Sequence, residues 1–600
     1  MNRFAATLCV LAILLTTSIS QTQGADDLTL PQKALEILRE RCYRCHGGAA
    51  QQAGLDVLSR ESLLQARGPA DARFAFLVPN DAKNSKLAQA VKSGRDSYMP
   101  EQGSPEAAAM TNEEKDILQR WIDSGANFPN DRQIEFVTET RMLIAMRDYL
   151  LKIEEVKRTS VRFFTLAHLH NNPKNSALDL RLYRAALSKA LNSLTTSREI
   201  VLPKAVPGAQ ETVYAVDLTE LDWNRVDMEG SSLWDQIVSF YPYGLKFDFV
   251  KDDERKNVWK DVAKWTGADI PYLRADWFVV TATQPPLYHK LLRIPPTLSE
   301  LEKELDIDIR RNFVEGKIER SGFAKSGVSR QNRLLERHSS RVTPYFWISY
   351  DFLPNRVRSD LPRFPLGPRF EGNPFNDQAF EHDGGELIWS LPNGMQAFML
   401  VDKAGDRIDQ GPIEVVFDRS AVLGTPSIIN GISCIACHRH GLICDFRDEL
   451  RDANVLGGAA GEHLQKTFPS HQVLQQSSQQ DQQLFLKSLA KVMGPYLLTG
   501  ADQNKDISQF PEPIGKVAKL YAEDLTLQEM AYELGLAKPQ ELEELAIHLK
   551  ANRGLLRFGL GTMIQKPPGT LKRDKWQVRE GMSLMQYVAR ELGIGIPIVP

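Results

Sequence analysis

The chain has 600 residues, of which 42% are hydrophobic and 25% charged, and its formal net charge is −3. At ~100–200 residues per domain the length predicts roughly three to five domains and excludes a lone small module. The composition excludes wholesale disorder and fibrous repeats, and the charge gives no electrostatic reason to expect a nucleic-acid partner. The cysteines are too sparse for a disulfide-stapled scaffold, and they cluster: Cys9, Cys42, Cys45, Cys434, Cys437 and Cys444.

Residues 1–24 are typical of a secretory signal. Arg3 supplies a positive start, residues 4–15 are largely apolar, and small residues follow at candidate cleavage positions. The apolar run is shorter than the ~18–20 residues that span a bilayer, so we expect export rather than a membrane anchor. We therefore expect a periplasmic or secreted protein without a transmembrane segment. Cleavage removes Cys9 and leaves an odd number of cysteines, which cannot all pair within one chain.

Pattern and turn signals divide the rest of the chain into four regions: 28–130, 132–340, 341–444 and 445–600. The first region opens with a helix in which Leu35 and Leu38 keep the helical spacing. It closes with a second helix, which begins at the capping-box pair Thr111 and Glu114 and ends at Gly125. A loop-rich stretch joins the two, so this region is predicted to be small and all-α.

The region 132–340 is predicted to mix helices and strands. Residues 132–200 are mostly helical by their spacing of apolar side chains, and residues 212–217 and 277–281 are strand-like because they are rich in β-branched and aromatic side chains.

The region 341–444 is the most β-like, and 445–600 is mainly helical. Residues 386–391 and 395–401 flank a Pro-Asn-Gly sequence and predict a hairpin. Residues 412–417 predict a further strand.

The sequence C-x-x-C-H occurs twice, as Cys42, Cys45 and His46, and as Cys434, Cys437 and His438. This spacing is typical of c-type haem attachment. Two thiols one helical turn apart can add to the two vinyl groups of haem, and the next histidine can ligate the iron. At this composition one chance match is expected about once in a thousand such chains, and two about once in a million.

Three other interpretations of these cysteine pairs exist. They are a structural disulfide, a thioredoxin-like redox pair and a zinc site. A redox pair needs no following histidine. A four-thiolate zinc site would need both pairs close in space although they are far apart in the sequence.

Met99, which precedes Pro100, is a candidate sixth ligand for the first haem. A thioether on the far side of the ring would give His/Met ligation, which raises the reduction potential. Methionine more often fills gaps in a core, but the polar flanks and loop setting fit that use poorly.

Residues ~30–130 resemble the planctomycete-type cytochrome c domain. The resemblance is carried by residues 35–47, 54–56, 59–64, 78–81, 85–87, 99–100 and 111–129. Glu101 departs from the family, which usually has a second proline there. The resemblance implies a small all-α cytochrome c domain with Met99 as ligand. The fold class expected overall is mixed, with this domain followed by a larger α+β body that has a β-rich centre and a helical C-terminal region.

The remaining ~470 residues resemble large exported proteins that carry such a domain in front and a second C-x-x-C-H downstream. Residues 380–386, the hairpin to Asp409 and residues 430–433 carry that likeness. It implies no established activity. Candidates for the sixth ligand opposite His438 are left open: His382, His168, His170, His463, His471, Met395 and Met399. Cys444 is a buried thiol, an intermolecular disulfide or a redox group.

The sequence therefore predicts an exported dihaem c-type cytochrome that transfers electrons between a redox partner protein or small donor and an acceptor. It would hold two covalently attached haem c groups. One alternative is a peroxidase-like haem enzyme whose second iron is open. The other is a partner-binding protein to which the cytochrome domain is accessory.

Overall fold

The computed structural model describes residues 30–43, 46, 55, 57–58, 60–64, 76–92, 110–128 and 134–599, apart from 227–229, 249, 325–327, 330, 355–356, 419–423, 445–446, 454–455, 537–538, 566–568 and 578. The signal segment, Cys45 and Met99 lie outside the described residues.

The first unit is helical in its described part. Its helices are α1 (Leu30–Arg41), α2 (Arg60–Leu64), α3 (Lys86–Ala90) and α4 (Asn112–Asp123). The predicted capping box at Thr111 and Glu114 is present at the start of α4, where the Thr111 hydroxyl accepts from the Glu114 N–H at 3.1 Å. α1 packs against α4 around Leu38 and Trp121, which are fully buried in a core that belongs to this unit.

The body begins with helices that surround a four-stranded sheet. The helices are α5 (Glu139–Leu151), α6 (Ala167–Asn171), α7 (Ala177–Ser193), α8 (Leu233–Val238), α9 (Asp253–Thr266), α10 (Ala275–Ala282), α11 (Leu287–Leu292), α12 (Leu298–Glu304) and α13 (Ile309–Glu315). The sheet contains β1 (Val161–Thr165), β2 (Lys204–Ala205), β3 (Val213–Asp217) and β5 (Tyr272–Arg274), and the short strand β4 (Leu245–Lys246) lies outside it. The sheet order is β2-β3-β1-β5, and only the β1–β5 pair is parallel.

One prediction for this part of the body is confirmed and one is wrong. β3 lies where residues 212–217 predict a strand, but residues 277–281 lie inside α10. α10 is buried on nearly all sides, and an apolar run buried all round has no periodicity that distinguishes a helix from a strand.

The centre of the body is a six-stranded antiparallel meander. Its strands are β6 (Glu319–Phe323), β7 (Arg333–His338), β8 (Phe346–Asp351), β9 (Gly384–Ser390), β10 (Gln396–Asp402) and β11 (Arg407–Ile408). β9 and β10 form the predicted hairpin. The strand predicted at residues 412–417 is wrong, because the N–H groups of Val415 and Val416 both donate to the Pro412 carbonyl and close a turn instead.

The chain after the central sheet is mainly helical, as predicted for residues 445–600. It contains α14 (Ile432–Cys437), α15 (Gly458–Thr467), α16 (His471–Leu497), α17 (Pro513–Tyr521), α18 (Leu527–Glu533), α19 (Pro539–Ala551), α20 (Arg553–Arg557), α21 (Arg573–Gln577) and α22 (Leu584–Glu591). Three short strands are β12 (Arg579–Glu580), β13 (Met582–Ser583) and β14 (Ile596–Pro597). Across the described ranges, none of the helices combines the length and apolarity needed to cross a membrane.

The predicted fold class is confirmed: a small helical unit precedes a larger α+β body with a β-rich centre and a helical C-terminal region. Helix α17 is central to how the parts meet, since it packs against α7, α10 and α14. This arrangement puts α14, the helix that carries the second C-x-x-C-H, inside the body.

Candidate haem-attachment sites

The first motif begins where α1 ends. The Cys42 N–H donates to the Leu38 carbonyl at 3.0 Å, and the His46 N–H donates to the Cys42 carbonyl at 2.9 Å, so the chain turns tightly after the helix. Cys42 is half-buried and packs against the core of the first unit. The Val57 N–H donates to the His46 carbonyl at 2.8 Å, so Val57 lies directly beside the first motif.

The second motif lies on α14, which begins directly after Gly431. Gly431 has φ +84, and a Cβ there would lie 2.4 Å from the Thr283 carbonyl oxygen. A side chain would therefore be both strained and obstructed at this position. The close approach of the backbone at Gly431 fixes where α14 starts relative to α10.

Cys434 and Cys437 are three residues apart and so lie on one face of α14. Both are free thiols, and Cys434 is only 1% exposed. The thiols are close enough that Cys437 contributes to raising the pKa of Cys434. This arrangement is the one that attachment to two neighbouring vinyl groups needs.

His438 follows the helix with its two ring nitrogens in different surroundings. Nδ1 lies 3.2 Å from the Gly441 carbonyl oxygen. Because a carbonyl only accepts, Nδ1 carries hydrogen in this contact, and Nε2 is the nitrogen that could ligate a metal. The Phe398 ring stacks against the imidazole, with centroids 5.6 Å apart and an interplanar angle of 29°.

The charged group beside Nε2 is Glu386, whose Oε2 lies 3.8 Å away. Glu386 on β9 and Phe398 on β10 share one face of the central sheet, since Glu386 pairs with Leu400 and Phe398 with Ile388. Arg333 on β7 reaches the same carboxylate at 3.5 Å. The second motif is therefore seated on this face of the sheet.

Electrostatics around Glu386 keep it ionised. Burial alone would raise the pKa of this carboxyl, but His438, Arg333 and the Cys434 thiol together lower it to about 2. The Cys434 thiol donates to the carboxylate.

Both thiols of the second motif are held protonated at neutral pH. Burial, followed by the charge of Glu386, raises the pKa of Cys434 well above its usual range. Burial, followed by the charge of Asp418, raises the pKa of Cys437 to about 12. Thiol–disulfide exchange requires the thiolate, so these surroundings disfavour the redox-pair interpretation of the motif.

The donor set of the second motif fits haem c. It offers two uncharged thiols on one helix face and an imidazole whose Nδ1 is held by a backbone carbonyl. Cys434, Cys437 and His438 would hold the group, and Phe398 would pack against its axial imidazole.

The candidates for the sixth ligand have other neighbours. His168 Nε2 lies 2.9 Å from Asp276, His170 Nε2 lies 3.2 Å from the Glu135 carbonyl, and His471 is exposed. His382 packs against Tyr350 and Phe380, and His463 against Phe313 and Phe375. Met395 and Met399 are fully buried, and Met399 points to the sheet face opposite Phe398 because side chains alternate along β10.

Cys444 is half-buried, and its thiol contacts the Leu442 carbonyl at 3.5 Å. Burial raises the pKa of Cys444, which favours the interpretation as a buried thiol over a redox-active one.

Sequence reasoning missed Glu386, Arg333 and Phe398 as neighbours of the second motif. An acidic residue at the start of a predicted strand is the signal that could have found Glu386, since a carboxylate that becomes buried needs a partner. The sequence pattern did not indicate which partner.

Comparison with known proteins bears on the first motif. Residues 42–103 match the family model of Planctomycete cytochrome C, and this segment contains Cys42, Cys45, His46 and Met99. No curated protein and no solved structure matches the chain. The match confirms that the N-terminal unit resembles the planctomycete-type cytochrome c domain, a family that binds haem.

Proposed function

We propose that the protein is a dihaem c-type cytochrome that transfers electrons. Cys42, Cys45 and His46 would hold the first haem, with Met99 as its sixth ligand. The second haem would be held by Cys434, Cys437 and His438. Haem iron supplies the electron-carrying chemistry by alternating between its ferrous and ferric states.

The observation that carries this proposal is the geometry of the second motif. Its two thiols share a face of α14 with Cys434 fully buried, and Nδ1 of His438 is held by the Gly441 carbonyl. This carbonyl contact holds the ring in place, as a hydrogen-bond partner of the non-ligating nitrogen does for a metal-bound histidine. The family match supports covalent haem at the first motif independently.

Counting haems tests the proposal. We expect a pyridine haemochrome assay on the full chain, with intact mass, to give two covalent haems. The double substitution Cys434→Ala/Cys437→Ala should leave one. Cys444→Ala is the matched control, because it removes a nearby half-buried thiol outside the motif, and it should keep two. A wild-type chain with one haem would contradict the proposal.

A second candidate function is a haem enzyme with an open second iron. The observation that favours it is that four of the candidates, His168, His170, His382 and His463, contact other groups of the body. A high-spin ferric electron paramagnetic resonance signal that disappears on adding cyanide would support this function. Low-spin signals from both haems would reject it in favour of an electron carrier.

Export is part of the proposal, and residues 1–24 together with c-type haem attachment support it. Cytochrome c domains of this type are typically extracellular or periplasmic. We expect the mature chain in a periplasmic or secreted fraction, with its amino terminus shortened by cleavage. A redox protein or a small electron donor or acceptor would be its partner. Full-length chain retained in the cytosol, without haem, would contradict export.

A further inference from the structure

The first unit contacts the body through buried charges next to the first motif. Arg39, three residues before Cys42, has its Nη1 2.5 Å from Asp179 Oδ2 at the start of α7. The two side chains are 13% and 1% exposed. Arg39 also donates to the Lys174 carbonyl. The end of α1 is thus held on the body by a charged contact from which water is largely excluded.

Asp179 also belongs to the capping box at the start of α7. Its carboxylate accepts from the Ser176 N–H at 2.8 Å. Burial alone would raise the pKa of Asp179, but Arg39 and Lys516 hold it below its usual range, so the carboxylate is ionised at neutral pH.

Lys516 on α17 completes the cluster. Its Nζ lies 3.3 Å from Glu40 Oε1 on α1 and 3.8 Å from Asp179 Oδ1 on α7. The start of α17 is fixed to α7 as well, because Glu512 accepts from Lys189 Nζ at 2.7 Å in a pair that is almost fully buried.

Helix α17 also packs against α14, which carries Cys434 and Cys437. The same short helix therefore contacts α1, which leads into the first motif, and α14, which carries the second. Helix α17 has nine residues and is about 14 Å long at ~1.5 Å per residue. Because this one short helix contacts both elements, the end of α1 and the second motif are held against a common element of the body.

We propose that the two haems exchange electrons within one chain across α17, and that Glu40, Asp179 and Lys516 are positioning residues that keep the first unit docked for this exchange. The inference rests on the proposed dihaem function. One electron leaves a ferrous iron at one motif, which becomes ferric, and reduces a ferric iron at the other motif to ferrous. No proton or atom is transferred.

The test uses the full chain loaded with haem, with charge reversals at the contact. After laser-flash reduction, the two haems are followed by their visible bands at low protein concentration. Lys516→Glu and Glu40→Lys should each slow the exchange at least about tenfold, which corresponds to ~1.4 kcal/mol of docking free energy. The double variant Glu40→Lys/Lys516→Glu recreates this pair with reversed sign but places a carboxylate beside Asp179, so it should exchange electrons faster than Lys516→Glu and slower than wild type.

Lys519→Glu is the matched control, since Lys519 lies on the same helix with its side chain exposed. It should leave the exchange rate within about twofold of wild type, as expected for an exposed charge. Glu40 is 47% exposed, so Glu40→Lys tests the contact without disturbing a core. Hydrogen exchange along α1 gives a readout independent of electron transfer. It should be faster in Lys516→Glu than in the double variant, and Lys519→Glu should leave it unchanged.

Three outcomes overturn the inference while the haem count of two stays intact. The first is an exchange rate proportional to protein concentration, which would make the transfer intermolecular. The second is an electron-exchange rate that stays at the wild-type value in single variants in which α1 has lost its protection against hydrogen exchange. The third is unchanged protection and rate in both single variants, which would remove the positioning role. A haem count below two contradicts the proposed function itself and is measured first.

Discussion

Replacing Arg320 by methionine tests how charge is stabilised inside the central sheet. Arg320 on β6 lies opposite Glu336 on β7, with Nε 2.5 Å from Glu336 Oε2, and both side chains are fully buried. Its Nη2 donates to the Gly367 carbonyl at 2.6 Å and its Nη1 to the Pro365 carbonyl at 3.3 Å. His338 Nε2 lies 2.8 Å from the other oxygen of Glu336.

Arg320→Met would leave the Glu336 carboxylate buried with His338 at 2.8 Å and the Tyr350 hydroxyl, which donates at 3.2 Å. Breaking a buried ion pair by removing one partner costs about 3–5 kcal/mol. Two carbonyls also lose a donor, each at about 1–3 kcal/mol if no water replaces it. We take the lower end of each range, about 3 kcal/mol for the charge and about 1 kcal/mol for one of the two carbonyls. The free energy of unfolding of the sheet is therefore expected to fall by about 4 kcal/mol.

The pH dependence gives an independent magnitude for the same pair. Burial would raise the pKa of Glu336, but Arg320 and His338 lower it from 4.5 to about 2. A carboxylate with a lowered pKa stabilises the fold above its unfolded pKa and loses that contribution as pH falls through the folded value. At ~1.36 kcal/mol per unit this contribution is about 3 kcal/mol, lost between pH 4.5 and 2 in wild type and absent in Glu336→Gln.

Native-state hydrogen exchange of β6 and β7 in mild denaturant measures these changes without requiring the whole chain to unfold in one step. Arg369→Met is the control, since Arg369 and Glu381 form a pair at 2.8 Å that is 50% and 57% exposed, and it should cost less than about 1 kcal/mol. The double variant Arg320→Met/Glu336→Met should be more stable than Arg320→Met, because it removes the uncompensated charge. The reasoning is refuted if Arg320→Met costs no more than Arg369→Met, or if the double variant is the less stable of the two.

Three further predictions concern single side chains. Thr111→Ala removes the capping box of α4 and should lower the stability of that helix by about 1 kcal/mol, seen as faster hydrogen exchange in its first turn. Gly431→Ala should lower the melting temperature of the body more than Gly230→Ala does. Both glycines have positive φ, but only the Cβ at Gly431 would meet a backbone oxygen, at 2.4 Å. Burial would raise the pKa of Asp276, but His168 lowers it to about 2. The wild-type protein should therefore lose about 2 kcal/mol of stability between pH 3.8 and 2 in an acid titration, and Asp276→Asn should lack this pH-dependent contribution.

Local patterns were sufficient to predict some elements and insufficient for others. α4 and the β9–β10 hairpin were predictable because a capping box and an Asn-Gly turn each lie within a few consecutive residues. α10 was not, because β-branched and aromatic side chains suit a strand by propensity while burial on all sides permits a helix. Val415 and Val416 were similarly misleading, since their backbone groups close a turn.

The same distinction holds for the second motif. Cys434, Cys437 and His438 could be singled out as candidate attachment residues because they lie within five consecutive residues, where haem attachment chemistry fixes the spacing. The contact between His438 and Glu386 was not predictable, because it depends on the register of β9 against β10 and on the position at which α14 packs on the sheet. Sequence spacing carries no information about that position.

The charged contact between the first unit and the body differs from an apolar core in what is lost when the two parts separate. Arg39 and Asp179 are buried when the units are docked, but both would regain water on separation. Breaking an apolar core offers no such compensation. Interfaces between domains are typically more polar than the domain cores, and they allow relative motion. A contact built from Arg39, Asp179 and Lys516 can therefore hold the first motif near α17 at a defined position, while the first unit keeps a separate core around Trp121 that does not depend on docking.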